Sequence, residues 1–396
     1  NYNLTTTGTL TTTANISART LILAAATDSK TYDGTTSSSA AVLITGAQTG
    51  DTISANQVFA SKHALGANNS VLKVGSFTIE DGNNGNNYVV SQNTASGTIQ
   101  KANLTVTATQ LEKTYDGTTT ATGSGTVGTL AGQAAGESVN AAGSQAFLSK
   151  NAGQANKYVR ASGVTIKDSA NADVTSNYDI SYIDNTSSTI HKADLVVSLA
   201  DQTKVYDGTT TVTLASSAFT ATGVTVGGVT ESATVKSTTG TYNDKNVASA
   251  HTVTATLSGA DFSSGTADVS NYNLPASVSN TSSTITKANL AVTLANQTKV
   301  YDGNANATLA AGAITATGVT VGGVTETATV TQTVGSYNSK NVASANTVTA
   351  HLAAGQFTAG TADLGNYNLP TTVSNTTSTI TQAALTLTAN SDTSKV

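Results

Sequence analysis

Cysteine, methionine and tryptophan are missing from the 396 residues, only two residues are proline, and charged residues make up 10%. Without cysteine there is no disulfide and no thiolate-based zinc or redox site. The lack of even an initiator methionine suggests a processed or excised segment of something longer. Eighteen basic residues face 23 acidic ones, for a net charge of -5, and lysine and arginine form no cluster. That argues against a nucleic-acid groove or an anionic membrane surface as partner. No apolar run is long enough to span a membrane, and no charged n-region with an apolar stretch marks a signal peptide. Gly-x-Ser-x-Gly, His-Glu-x-x-His and Walker-type loops are absent, so an enzyme is not expected.

What is abundant is serine and threonine, about 30% of the chain. Runs such as LTVTATQ, LVVSLA, LAVTLA and LTLTA alternate apolar and hydroxyl residues with period two, the mark of half-buried strands. Gly, Asn and Asp clusters punctuate the sequence, and no helical periodicity persists. The expectation is an all-β chain of small sandwich-like domains with light cores of Val, Ile, Leu and Ala.

Three markers recur in fixed order. Lys-x-Tyr-Asp-Gly appears with its tyrosine at Tyr32, Tyr115, Tyr206 and Tyr301, spaced 83, 91 and 95 residues apart. Asn-Tyr appears at Tyr2, Tyr88, Tyr178, Tyr272 and Tyr367. A junction follows each repeat, carried by Ile99, Ile190, Ile285 and Ile380, with a looser version at Ile16. The boundaries are therefore 1–17, the closing part of a preceding repeat; 18–100, 101–191, 192–286 and 287–381, four repeats; and 382–396, the opening strand of a following one. The third and fourth repeats share TATGVTVGGVTE and look like a recent duplication.

At each junction an isoleucine lies five residues before a leucine, as in Ile99 to Leu104 and Ile285 to Leu290. Five is odd, so in a continuous strand the two point to opposite faces. A closing strand running straight into the next opening strand, with no flexible linker, predicts stiffly coupled domains and an extended rod.

In Tyr32-Asp33-Gly34, Tyr115-Asp116-Gly117, Tyr206-Asp207-Gly208 and Tyr301-Asp302-Gly303, Asp-Gly reads as a tight turn while tyrosine packs its ring and ties its hydroxyl to backbone. A sharper use of Lys30, Lys113, Lys204 and Lys299, or of Lys62, Lys150, Lys245 and Lys340, is an isopeptide bond to the Asn of Asn-Tyr, which needs a buried acid at a repeated position. The five glutamates, Glu80, Glu112, Glu137, Glu231 and Glu326, share no common offset apart from the duplicate pair Glu231 and Glu326, which disfavours that chemistry. Asp81 and Asn83 open an oxygen-rich loop, and Asp173, Asp268 and Asp363 fall in the corresponding segment, a candidate calcium set against which a plain Asx turn is the stronger reading. No other cofactor is expected. The glycines 123, 125 and 128 match a dinucleotide fingerprint without its βαβ frame, and His63, His191, His251 and His351 occupy unrelated positions. Sequons such as those at Asn103, Asn185, Asn280 and Asn375 are no more frequent than the composition dictates.

Taken together, KTYDGTT or KVYDGTT, then YNDKNV or YNSKNV, then NYNL and ITKA resemble the YDG and MBG-type repeats of very large exported Gram-negative proteins, many of them filamentous-haemagglutinin-like adhesins. The fourth copy departs with YDGNAN and the first with SKHALG. The resemblance implies Ig-like domains in the stalk of an adhesin or extracellular fibre, at the cell surface or secreted. Neighbouring repeats of the same chain are the expected partners. The alternative is that the repeats themselves bind like chains or surface glycans, giving cell aggregation or matrix.

Overall fold

The computed structural model describes residues 13–121, 130–131, 134–390 and 394. Tyr2, the 123–128 glycine segment and Lys395-Val396 lie outside them. Among the described residues the regular structure is strand and short 3-10 turn, with no α-helix. The chain divides into two compact units, Asn1–Lys192 and Ala193–Val396, each holding two repeats.

The third repeat shows the plan. One antiparallel sheet orders Val196–Leu199, Phe219–Val226, Val229–Val235 and Phe262–Ser264; a second orders Thr211–Thr213, Thr239–Tyr242, Val253–Thr256 and Ser277–Asn280. The period-two pattern sorts the faces: Leu199, Phe219, Ala221, Val235 and Phe262 are buried from the first sheet, and Val212, Tyr242, Val253, Ala255 and Val278 from the second. The outward positions carry the hydroxyls, which pair across strands, as Thr254 with Ser279 at 2.8 Å and Thr349 with Ser374 at 2.8 Å in the fourth repeat. That accounts for a threonine-rich chain with few charges.

Register explains why the three markers travel together. In every repeat the Lys-x-Tyr strand pairs in parallel with the closing strand, setting Lys30 opposite Ile99, Lys113 opposite Ile190, Lys204 opposite Ile285 and Lys299 opposite Ile380. The Asn-Tyr tyrosine pairs in parallel with the opening strand: Tyr88 with Arg19, Tyr178 with Ala102, Tyr272 with Ala193 and Tyr367 with Ala288.

Within each unit the junction has the expected economy. Only Lys101 separates strand Ala95–Gln100 from Ala102–Thr107, and only Lys287 separates Thr284–Thr286 from Ala288–Asn289. Ile99 pairs with Gly66 of its own repeat and Leu104 with Ile180 of the next, and both are fully buried. The ends differ from the expected strands. Residues 382–390 form no strand, leaving Leu385 84% exposed, and Ile16 is 98% exposed. A lone alternating segment without a described partner has no ladder to join.

Candidate functional site at the repeat joints

The Asp-Gly turn is closed from inside by its own lysine. Lys30 Nζ donates to Asp33 Oδ1 at 2.8 Å and to the Thr35 carbonyl at 2.8 Å, over the Phe59 ring at 5.6 Å. Lys113 sits likewise on Asp116 and over Phe147, Lys204 on Asp207 and over Tyr242, and Lys299 on Asp302 and over Tyr337. The aspartate also accepts the N–H two residues on, as Thr35 to Asp33 at 2.9 Å, and so caps the turn. The Lys299 hydrogen bond holds the Asp302 carboxyl below its ordinary range.

The hydroxyls of Tyr32 and Tyr206 do not make the expected bond to backbone; they cross into the next repeat. Tyr32 donates to Glu137 Oε1 at 2.5 Å, and the other oxygen of Glu137 accepts from Tyr178 at 2.5 Å. The two rings meet edge to face with centroids 5.5 Å apart. The second unit repeats this: Tyr206 donates to Glu326 Oε1 at 2.9 Å, Tyr367 to Glu326 Oε2 at 2.5 Å, and the rings again lie 5.5 Å apart. The backbone tie expected of Tyr-Asp-Gly belongs instead to the YN tyrosines, with Tyr242 donating to the Thr284 carbonyl at 2.8 Å and Tyr337 to that of Thr379 at 3.1 Å.

Local structure makes room for the clasp. Strand Ile314–Val321 bulges between Thr317 and Thr320, which frees the Val319 N–H to donate to the Tyr367 hydroxyl at 3.0 Å. Gly318 in that bulge has no side chain, and a Cβ there would lie 2.2 Å from the same hydroxyl. The glutamate does have a fixed offset, contrary to the reading above: Glu137, Glu231 and Glu326 stand 41 residues before Tyr178, Tyr272 and Tyr367, and each accepts from that tyrosine. Its distance from Tyr-Asp-Gly is not fixed, because length varies between the two markers. In the first repeat Asp51 takes the role, accepting from Tyr88 at 2.5 Å.

The asparagine of Asn-Tyr is the second contact. Asn177, 1% exposed, accepts the Ala64 N–H at 3.0 Å and meets His63 Nδ1 at 3.2 Å, both in the preceding repeat's SKHALG loop. Asn366, 1% exposed, accepts the Val247 N–H at 2.8 Å and donates to Asn246 at 2.9 Å in the KNV loop. Lys62 adds an ion pair to Asp168 at 2.7 Å. All the repeated markers thus converge on one joint. Lys62 is engaged by a carboxylate and Asn177 by a main-chain amide, not by each other.

The calcium candidates are not brought together. Asp81 Oδ1 accepts the amides of Asn83 at 2.9 Å and Gly85 at 2.8 Å, Asp173 that of Thr175 at 2.8 Å, Asp268 that of Ser270 at 3.0 Å and Asp363 that of Gly365 at 3.0 Å. These are Asx turns, the last two opening 3-10 turns. Among the described residues no group of three His, Asp or Glu converges to hold a metal.

Burial and then the shared glutamate push Tyr178 and Tyr367 up to about 12. A folded value above the ordinary ~10 means this stabilisation is complete below pH ~10 and lost as pH rises through about 12. Titration of tyrosinate absorbance is expected to show a late-ionising class that coincides with unfolding. If all tyrosines ionised at ordinary values while the fold persisted, the joints would not be as described.

A chain of successive all-β repeats, clasped pairwise by a recurring set of side chains at each joint within a unit, is a tandem-domain protein. Residues 17–95, 100–187, 191–281 and 286–378 each match the YDG domain family, and the chain belongs to that family. No curated protein matches it.

Proposed function

We propose that this chain is a spacer in a large bacterial surface or secreted adhesin or extracellular fibre, outside a Gram-negative cell, holding a binding element away from its anchor. The observation that carries the reading is the Tyr–Glu–Tyr clasp, formed by Tyr32, Glu137 and Tyr178 in one unit and by Tyr206, Glu326 and Tyr367 in the other. A linker alone would keep repeats together in sequence. A buried, directional clasp beside a one-residue junction fixes their relative orientation, which is what a load-bearing spacer requires and what a flexible string of binding modules does without. The family supports repetition as the design principle.

Small-angle scattering tests it. A compact globule of this length has a radius of gyration of about 21 Å, and four domains end to end give about twice that. The expected result is the larger value, unchanged by calcium or chelator, because the aspartates already have amide partners. A compact particle would overturn the spacer reading.

A further inference from the structure

The joints within the two units differ at one position. His63 of Lys62-His63-Ala64 and Asn246 of Lys245-Asn246-Val247 hold the same place against the Asn-Tyr asparagine, and the second and fourth repeats have Asn151 and Asn341 there. Only the first repeat carries a titratable side chain at this position. The orientation of Asn177 fixes which protons the histidine carries. The Ala64 N–H can only donate, so the carboxamide oxygen faces it at 3.0 Å, and the carboxamide nitrogen faces His63 Nδ1 at 3.2 Å. That nitrogen is also only a donor. His63 Nδ1 must therefore accept, which makes the imidazole neutral with its proton on Nε2. Asn366 is held the same way, accepting the Val247 N–H at 2.8 Å and donating to Asn246 at 2.9 Å, but there the acceptor is a carboxamide oxygen, which does not titrate.

The charged groups around this contact already have other partners. In the histidine's own loop Lys62 is paired with Asp168 at 2.7 Å. Across the joint, Asp168 is held below the ordinary carboxylate range by Lys62, and Asp173 by the Thr175 hydroxyl, so neither changes charge between about pH 5 and 8. Asn177 lies against the Tyr32 hydroxyl, and beyond it Glu137 accepts from Tyr32 and Tyr178. Among the described residues no carboxylate pairs with His63, so nothing compensates a positive charge on its ring. Glu326 takes the place of Glu137 in the second unit, so any response of the clasp carboxylate to pH is common to both units.

We propose that the joint between the first two repeats is an acid-sensitive hinge: protonation of His63 turns Nδ1 from acceptor to donor, sets two donors face to face at the buried Asn177 and releases the 61–64 loop, while the joint of the second unit keeps its contact. Asn177 is 1% exposed, so solvent does not take over the lost bond. Turning the ring gives no relief, because in the charged form Nε2 is a donor too and a ring carbon accepts nothing. The closed joint takes the neutral imidazole alone and the open joint takes either form. A proton is therefore bound on opening, and the joint weakens as pH falls. This goes beyond the spacer reading, which assigns no response to acid and stands whether or not the hinge exists.

Hydrogen exchange of the whole chain, read by mass spectrometry and corrected for the intrinsic effect of pH, decides it. The reporters are the Ala64 and Val247 N–H groups, each bonded to the asparagine of its joint. Between about pH 7.5 and about pH 5.5 protection at Ala64 is expected to fall about tenfold, while protection at Val247 is unchanged. His63→Asn, which installs the residue of the other repeats, is expected to abolish the fall, and Asn246→His to confer it on the second unit. Nitrogen-15 spectra of the imidazoles, with His63 assigned by its loss in His63→Asn, are expected to show the Nε2–H tautomer at the higher pH. A wild type whose Ala64 protection ignores pH would overturn the proposal, as would an Nδ1–H tautomer. So would equal falls in both units or a fall that survives His63→Asn, either of which would place the response in the carboxylates.

Discussion

Glu326→Ala is expected to lower the stability of the Ala193–Val396 unit by about 3 kcal/mol, far outside the range of a surface substitution. Glu326 is the shared acceptor of two tyrosine hydroxyls, and its loss leaves the O–H donors of Tyr206, 2% exposed, and Tyr367, 1% exposed, without an acceptor. A buried donor left without an acceptor costs about 1–3 kcal/mol, and the edge-to-face pair loses the group that orients it. Glu326→Gln keeps one acceptor oxygen and is expected to cost about half as much. Tyr206→Phe removes a single donor and keeps the ring contact, for about 1 kcal/mol. Urea unfolding separates these, with the slope inspected as well as the midpoint: uncoupled repeats unfold separately and broaden the transition, as nearest-neighbour arrays do. If Glu326→Ala fell within about 0.5 kcal/mol of wild type, the clasp would be incidental to coupling.

The strands were legible because their determinant is local. Leu, Val and Ile at alternate positions with hydroxyls between them dictate one buried and one wet face, and the five-residue gap from Ile99 to Leu104 dictates the change of core. The turn at Asp33-Gly34 was legible for the same reason, its glycine sitting at φ 81°. The joint was not, because its partners are 105 residues apart in Tyr32–Glu137 and 120 in Tyr206–Glu326, and they lie in different repeats. The signal was nevertheless present. Glutamate stands 41 residues before the Asn-Tyr tyrosine three times, a periodicity visible only when positions are measured from the element that shares its sheet neighbourhood. Tyr-Asp-Gly, in the opening half of a repeat, is the wrong origin, since variable loops intervene. The asparagine misled for a related reason: its neighbourhood suggested chemistry within a repeat, while its side chain serves the preceding one.

The glycine of Tyr-Asp-Gly provides an internal control on how much the joint itself contributes. Gly34, Gly208 and Gly303 adopt φ of 81°, 77° and 84°, so alanine carries the same left-handed penalty of about 1–2 kcal/mol at all three. Their surroundings differ. A Cβ at Gly303 meets nothing within 4 Å, one at Gly34 lies 3.4 Å from Ala134 Cβ, and one at Gly208 lies 2.2 Å from Val321 Cγ2. Gly303→Ala is therefore expected to cost the backbone term alone, Gly34→Ala little more, and Gly208→Ala about 3–4 kcal/mol, because overpacking adds a further 1–3 kcal/mol. The clash has a second route of relief, opening the joint, so Gly208→Ala should also expose Tyr206 to nitration while leaving the buried Tyr242 protected. Adding Val321→Ala removes the struck methyl and is expected to restore both the protection of Tyr206 and the part of the stability that exceeds the Gly303→Ala loss. Equal costs at all three glycines would mean that the turn, and not the contact between repeats, is what selects glycine there.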